Sequence, residues 1–400
     1  MDRNMLGAYG EWAAARVGDA PGAFSYRGPQ WSDIGQWKKA ARGALLELLH
    51  CPERVSASDV QVHARSLHDG VEIEELSWQL PYGPRTGAYF LKPAGARGRL
   101  PGVLAFHDHG GDKYFGKRKI ARSAGELHPQ VEKLQADAYG GAAWANTLAR
   151  RGFAVLAHDV FPFESRRILA ADLPLHAVKR LMSPPLDIRE VTPEDLLSAP
   201  AVSFDVPAGE PEEQIRAYNA FGAQHESVIA KSLFCAGLTW PGVMVAEDRA
   251  ALDYLASRPD VDAGRLGCGG LSGGGLRTGF LAGLDDRIRC AVCAGMMTTW
   301  RDYLFATSYT HSWMIFVPGL SALLDFPEIL GLGVPLPTCV LANADDPLFT
   351  RAETDRACRI LEAIYRKAGA GERFHFAFYP GPHKFDAPMQ RDAFDWFQRW

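Results

Sequence analysis

Residues 265–284 read RLGCGGLSGGGLRTGFLAGL. An apolar run, a burst of glycines around one serine, and a second apolar run with helical spacing make a strand, a tight turn and a helix. Inside the turn, Gly270-Leu271-Ser272-Gly273-Gly274 has the form G-x-S-x-G. In that setting the serine occupies a strained strand-to-helix turn with its hydroxyl projecting, and the glycines two positions to either side let neighbouring backbone approach closely.

Working outward, LPGVLAFHDHGG (100–111) and GFAVLAHDVF (152–161) are short apolar runs with a helical pattern near Tyr139–Arg150 between them. That is how buried parallel strands joined by a crossover read. Residues 212–236 and 243–257 have helical patterns, and the second leads directly into the strand before Ser272. Beyond the glycine turn come the strands IRCAVCAG (288–295) and LPTCVLANA (336–344) and a closing helix, DAFDWFQRW (392–400). Three β-rich segments, VQVHARSL (60–67), VEIEELSWQL (71–80) and TGAYFLKP (86–93), are divided by turn residues and predict an antiparallel meander at one edge of the sheet. Ahead of them, residues 31–50 place Ile34, Trp37, Ala41, Leu45 and Leu49 at helical spacing behind a Ser32 or Asp33 N-cap. The expected organisation is an N-terminal helical extension over 1–60 and one α/β unit over 61–400. Two insertions interrupt that unit, a proline-rich lid candidate at about 162–211 and another at 297–334.

Composition narrows the function classes. Of 400 residues, 47% are apolar and 22% charged, and Lys+Arg at 43 nearly balances Asp+Glu at 47. Nothing there supplies the broad basic footprint that nucleic acid requires. No stretch reaches about 18 uninterrupted apolar residues, so no membrane span is expected. The first 19 residues lack the apolar core of a secretory signal, which makes cytoplasmic residence the expectation. Seven cysteines scattered from Cys51 to Cys358 do not form a disulfide framework. Cys290 and Cys293 make one CxxC, but it lies in a strand-like run without a second ligand pair, so core packing is expected of it.

A serine hydroxyl is a weak nucleophile at neutral pH and needs a base oriented by a carboxylate. Both should follow Ser272, each in the loop after a later strand. VLANADDPLF supplies Asp345 and Asp346. Asp346, preceding Pro347, is the expected orienting acid, with Asp345 as the alternative or as a loop cap. FHFAFYPGPHKFD offers His383 beyond a Pro-Gly-Pro turn, while His375 sits inside the preceding strand, where packing or solvent exposure is expected. Oxyanion stabilisation calls for the amide of Gly273 and a second amide from the loop after an earlier strand, expected at Gly110 or Gly111. His109 is expected to shape that loop, and no third ligand accompanies the His107–His109 pair to make a metal site. His311, Trp313 and Phe316 fit a substrate pocket and aromatic core packing equally well. Glu164, Arg166 and Arg167 are expected to form a solvated salt-bridge cluster.

HDHGG, RLGCGGLSGGG, LDDRIRCAV, ADDPLF and YPGPHKF together resemble the dienelactone-hydrolase and acetyl-xylan-esterase-like branch of the α/β hydrolases, from about Leu100 to the C-terminus. The resemblance implies an α/β-hydrolase fold: a mostly parallel central sheet with helices on both faces. It also implies a Ser272–His383–Asp346 triad cleaving small ester groups without metal or cofactor. Two departures matter. Serine replaces the cysteine of dienelactone hydrolases, and HDHGG stands where many sugar acetylesterases carry a tyrosine-bearing loop. The expected activity is therefore hydrolysis of small-acyl esters, with a small-molecule substrate and no nucleic-acid or membrane partner; self-association into a homo-oligomer is left open. The rivals are another scissile bond on the same fold (peptide, lactone or carbon–carbon) and a non-catalytic binding protein on an inactive hydrolase fold.

Overall fold

The computed structural model describes residues 4–17, 21–182 and 209–400. Among them one nine-stranded sheet runs through the molecule: β1 (Ser58–His68), β2 (Val71–Gln79), β3 (Thr86–Pro93), β4 (Leu100–Phe106), β5 (Ala154–His158), β6 (Val261–Leu271), β7 (Ile288–Ala294), β8 (Thr338–Asn343) and β9 (Phe374–Tyr379). Their spatial order is β1-β2-β3-β5-β4-β6-β7-β8-β9. The meander is antiparallel, and β3 meets β5 antiparallel. From β5 through β9 every neighbouring pair is parallel. β5 and β8 are buried along their whole length because helices cover both faces of the parallel region.

Strand order decides where chemistry can sit. The chain passes from β4 to β5 on one side and later returns to pair β6 on the other side of β4. Connections leaving β4 and β6 therefore diverge to opposite sides, and a crevice opens beyond their carboxyl ends at this switch point. The loop HDHGG leaves β4, and Ser272 follows β6 directly.

Two sequence expectations need correction. The helical pattern near Tyr139–Arg150 is not one helix. Tyr139 ends the helix Pro129–Tyr139, Gly140 closes it in the left-handed region (φ 64°), and a separate helix runs from Trp144 to Arg150. Nor is the acidic–basic cluster after β5 solvated, since Glu164 and Arg166 are buried. Glu164 accepts hydrogen bonds from Lys117 Nζ at 2.7 Å and Arg118 Nε at 2.8 Å, and Arg166 pairs with Glu247 at 2.5 Å. Arg167 instead stacks its guanidinium over Tyr114. Much of the lid candidate, residues 183–208, lies outside the described residues.

The helix Ile34–Leu49 forms where expected, with Asp33 as its N-cap accepting from Gln36 N at 2.7 Å. Trp37, Ala41, Leu45 and Leu49 have no exposed surface and join the same core as Leu276 and Phe280 of the helix after Ser272. Trp37 Nε1 donates to Phe24 O at 2.6 Å, and Thr239 Oγ1 donates to Leu49 O at 2.5 Å. This segment is thus built into the core of the α/β unit. Leu45→Ala should lower unfolding free energy by about 2–5 kcal/mol in urea titrations, as expected for a side chain deleted from a close-packed interior. A loss under about 0.5 kcal/mol would mean the helix is a detachable appendage.

Candidate active site

Ser272 adopts φ 58° and ψ −118°, a backbone conformation that costs a residue with a side chain strain unless its surroundings enforce it. Those surroundings are explicit. A Cβ on Gly270 or on Gly274 would come within 2.4 Å of Phe106 O, so only glycine lets the end of β4 pack against both sides of the turn. Ser272 N–H donates to Ala294 O at 2.8 Å, fixing the turn to the end of β7. The helix Gly273–Leu284 begins immediately afterwards, and its first-turn N–H groups have no partner within the helix.

His383 and Asp346 arrive from the loops after β9 and β8. His383 Nδ1 donates to Asp346 Oδ2 at 2.7 Å, and Asp346 Oδ1 accepts from Leu348 N at 2.9 Å. Asp345 instead accepts from Gly381 N at 3.0 Å and donates its own N–H to Gly381 O at 3.1 Å, which ties the two loops together. The structure thus gives the adjacent aspartates different work. His375 lies exposed on β9 and stacks on Trp396. Ser272 and His383 line the same cleft of about 710 Å³, although among the described residues Ser272 Oγ makes no hydrogen bond. Such contacts are often open in an unliganded site and close around substrate.

The loop after β4 departs from expectation. Gly111 N–H donates to His109 Nδ1 at 3.0 Å, so it is not free to face the cleft. The amide lying against the nucleophile turn is that of His109, whose N is 3.0 Å from the point where a Cβ on Gly273 would sit. Gly110 and Gly111 take positive φ values (56° and 67°) and bend the chain so that this amide comes to the front.

With Nδ1 accepting, the His109 ring carries its proton on Nε2 and donates it to Glu226 Oε1 at 2.8 Å. Lys113 places its ammonium on the same oxygen, and Glu226 Oε2 accepts from Trp313 N at 3.3 Å. One carboxylate thus joins the β4 loop, the helix Glu212–Cys235 and the second insertion. Burial pushes the Glu226 carboxyl up, but the hydrogen bond from His109 and the Lys113 charge prevail and hold it at about 2. Sequence reasoning passed over Glu226. The available signal was a carboxylate within the apolar stripe of Ile215, Tyr218, Phe221 and Ile229.

Comparisons with known proteins agree with this geometry. The prolyl oligopeptidase family (Peptidase_S9) matches residues 238–319, which contain the nucleophile turn. The chain is 25% identical over 331 residues to "Putative hydrolase YtaP" of Bacillus subtilis strain 168, covering 82% of this chain and 88% of that one. Among solved structures, a "putative acetyl xylan esterase" from Bacteroides fragilis NCTC 9343 superposes with TM-score 0.65 at 15% identity, covering 94% of this chain and 83% of that one. A promiscuous CE15 esterase from a marine bacterial metagenome superposes with TM-score 0.57 at 12% identity, covering 94% of each. The chain has the α/β-hydrolase fold.

His311, Met314 and Ile315 from the second insertion line the cleft, and Met314 Cε is 3.3 Å from the Cβ position of Gly273. Trp313 keeps 40% of its surface exposed, and Phe316 packs on Tyr303. Of the three residues left open between pocket and core, His311 therefore faces the site. Cys290 and Cys293 are buried in β7, where desolvation pushes the Cys293 thiol up to about 12, the mark of an inert packing cysteine.

The depressed Glu226 carboxyl sets a pH window. Its stabilising contribution is full above its ordinary value of 4.5 and is lost as pH falls toward 2, because the native state then resists protonation that the unfolded chain accepts. Glu226→Gln should melt at lower temperature than the parent at neutral pH, and the gap should narrow steadily below about pH 4.5. A gap that stays constant down to about pH 3 would show that the charge of Glu226 contributes nothing.

Proposed function

We propose that this α/β hydrolase cleaves carboxylic esters of small acyl groups. The observation carrying the reading is the convergence, in one cleft at the strand switch point, of the Ser272 turn, the His383–Asp346 pair and the His109 amide nitrogen beside Gly273. In this mechanism Ser272 Oγ attacks the ester carbonyl carbon while His383 Nε2 takes its proton, and Asp346 holds the imidazole in the required tautomer. The amides of Gly273 and His109 stabilise the negative oxygen of the tetrahedral intermediate. His383 then protonates the departing alcohol, and water activated by the same imidazole releases the acid from Ser272.

The small-acyl preference is supported by what surrounds the serine. Leu271, Leu276, Met296, Met314 and Ile315 give the cleft an apolar wall beside Ser272. A bounded apolar pocket gains about 0.8 kcal/mol per buried methylene only until it is full, after which longer chains must displace packed side chains. The prolyl oligopeptidase match favours a second reading, peptide-bond cleavage, at the same serine.

Two experiments test these readings. Ser272→Ala and His383→Ala should each reduce kcat by on the order of 10³-fold or more, and Asp346→Asn should cost more than Asp345→Asn. Near-normal turnover in either of the first two, or the reverse ranking of the aspartates, would reassign the machinery. Across p-nitrophenyl acetate, butyrate, octanoate and palmitate, kcat/KM should peak at the short end. Palmitate as the best substrate would replace the small-acyl pocket with a lipase-like groove, and faster cleavage of a prolyl p-nitroanilide than of any ester would favour the peptidase reading.

A further inference from the structure

The β4 loop and its continuation, HDHGGDKYFGKRK (107–119), hold three buried lysines, and they are not treated alike. Lys113 is paired with Glu226. Lys117 is paired with Asp159 at 2.9 Å and Glu164 at 2.7 Å. Lys119, with no exposed surface, hydrogen-bonds to no carboxylate. Its three N–H groups go to the carbonyl oxygens of Asp108 at 3.0 Å, His109 at 2.8 Å and Asp112 at 2.7 Å. The nearest carboxylate oxygen, Asp108 Oδ2, is 3.8 Å away, while Asp108 Oδ1 is engaged by Tyr139 O–H at 2.5 Å. The Phe163 ring lies 5.2 Å from the ammonium on another side. An ammonium has three donors, so this cage satisfies it fully while leaving its charge without a hydrogen-bonded counter-ion.

The orientation of these carbonyls has a direct consequence. In a trans peptide the C=O and the following N–H point in opposite directions. The carbonyl of Asp108 belongs to the same peptide unit as the N–H of His109, the amide that faces Gly273. Holding Asp108 O against Lys119 Nζ therefore turns His109 N–H outward, toward the nucleophile turn. His107 Nδ1, 3.0 Å from the same carbonyl, supports the arrangement from the other side. The bond to Asp112 O acts likewise on the next turn of the loop, where Lys113 N–H is received by Asn219 Oδ1 at 2.9 Å.

We propose that Lys119 is a positioning residue for the oxyanion site: its caged ammonium fixes the peptide that presents His109 N–H and sets a positive charge one peptide unit behind that donor. This rests on the esterase reading, in which His109 and Gly273 receive the oxyanion. A charge there acts selectively on the transition state, because negative charge appears on the substrate oxygen only as the tetrahedral intermediate forms. Ground-state binding of a neutral ester is left almost untouched. Burial, joined by the charges of Arg277 and Lys119 at His107 and of Lys113 and Lys119 at His109, holds both rings below the ordinary imidazole range, so neither adds a competing charge.

The test compares the full-length protein with Lys119→Met, which removes charge and donors, Lys119→Gln, which keeps two N–H donors without the charge, and Lys119→Arg, which keeps the charge. Active sites are counted by stoichiometric reaction with a p-nitrophenyl phosphonate, so unfolded protein does not enter the rate. On p-nitrophenyl acetate, kcat per counted site should fall on the order of 10²-fold or more in Lys119→Met, less in Lys119→Gln, and recover in part in Lys119→Arg, with KM changed less than about threefold. Affinity for an alkylboronic acid, whose tetrahedral adduct presents the oxyanion, should fall in parallel with kcat. If kcat per site and boronate affinity stay within about threefold of the parent in the variants that fold, or if the loss is confined to KM, Lys119 is only a structural residue and the inference fails. A cage that served stability alone would lower the melting temperature and leave both readouts in place. Absence of ester turnover and phosphonate labelling in the unsubstituted protein would instead overturn the esterase reading itself.

Discussion

The carbonyl oxygen of Phe106 lies 2.4 Å from the points at which side chains on both Gly270 and Gly274 would begin. That approach joins the end of β4 to the turn after β6, and the rest of the site is arranged around it. It holds Ser272 in a left-handed conformation that a looser turn would relax. It also sets the distance between the nucleophile and the loop leaving β4, which brings the His109 amide to Gly273. Were either glycine replaced, β4 and β6 would have to separate or the turn would have to flatten, and both changes would move the His109 amide away from Gly273. Glycine here is a requirement of packing between neighbouring strands, more than of flexibility.

Much of this was legible in the sequence because it is encoded locally. A glycine-flanked serine between an apolar strand and an apolar helix specifies its own turn, and acid and base in the loops after two later strands follow from the order in which a parallel sheet is laid down. Asp346 and Asp345 could be ranked because the proline after Asp346 carries the chain away from the sheet; their separate bonds to His383 and Gly381 became visible only in three dimensions. The sequence pointed to Gly110 or Gly111 for the second amide, whereas the amide nitrogen beside Gly273 is that of His109. Glycines attract attention in a loop, but every residue other than proline owns an N–H, and which one faces the site depends on where the carbonyls are tied. Those ties come from Lys119, a residue ten positions on from His109.

Charges misled for a related reason. Glu164, Arg166 and Arg167 in succession look like surface, since local sequence cannot show that Lys117, Arg118 and Glu247 arrive to enclose the first two. Glu226 was hidden in the same way, separated from Lys113 by more than a hundred positions and placed on an otherwise apolar helical stripe. The helix break at Gly140 and Gly141 is the opposite case. There the two glycines stand in plain view between apolar periods, and they end one helix before the next begins.

The buried ions around the β4 loop show how the fold reconciles a costly core with a precisely oriented loop. Removing charges from water is unfavourable, and a buried ion pair often does little for net stability compared with well-packed apolar side chains. Such pairs do restrict geometry, because each partner accepts few alternative positions once it is enclosed. Here the restriction is distributed by direction. Lys117 anchors the loop's far end to the region after β5 through Asp159 and Glu164, and Glu226 reaches down from the helix Glu212–Cys235 to His109 and Lys113. Lys119 gathers three carbonyls of the loop from within. Apolar packing in their place would hold the loop's volume but not the direction of its peptides. An oxyanion site depends on direction, since an N–H turned away from the developing charge stabilises nothing. Three buried lysines in thirteen residues therefore do more than contribute to stability, because their enclosed partners also give a glycine-containing loop a single orientation.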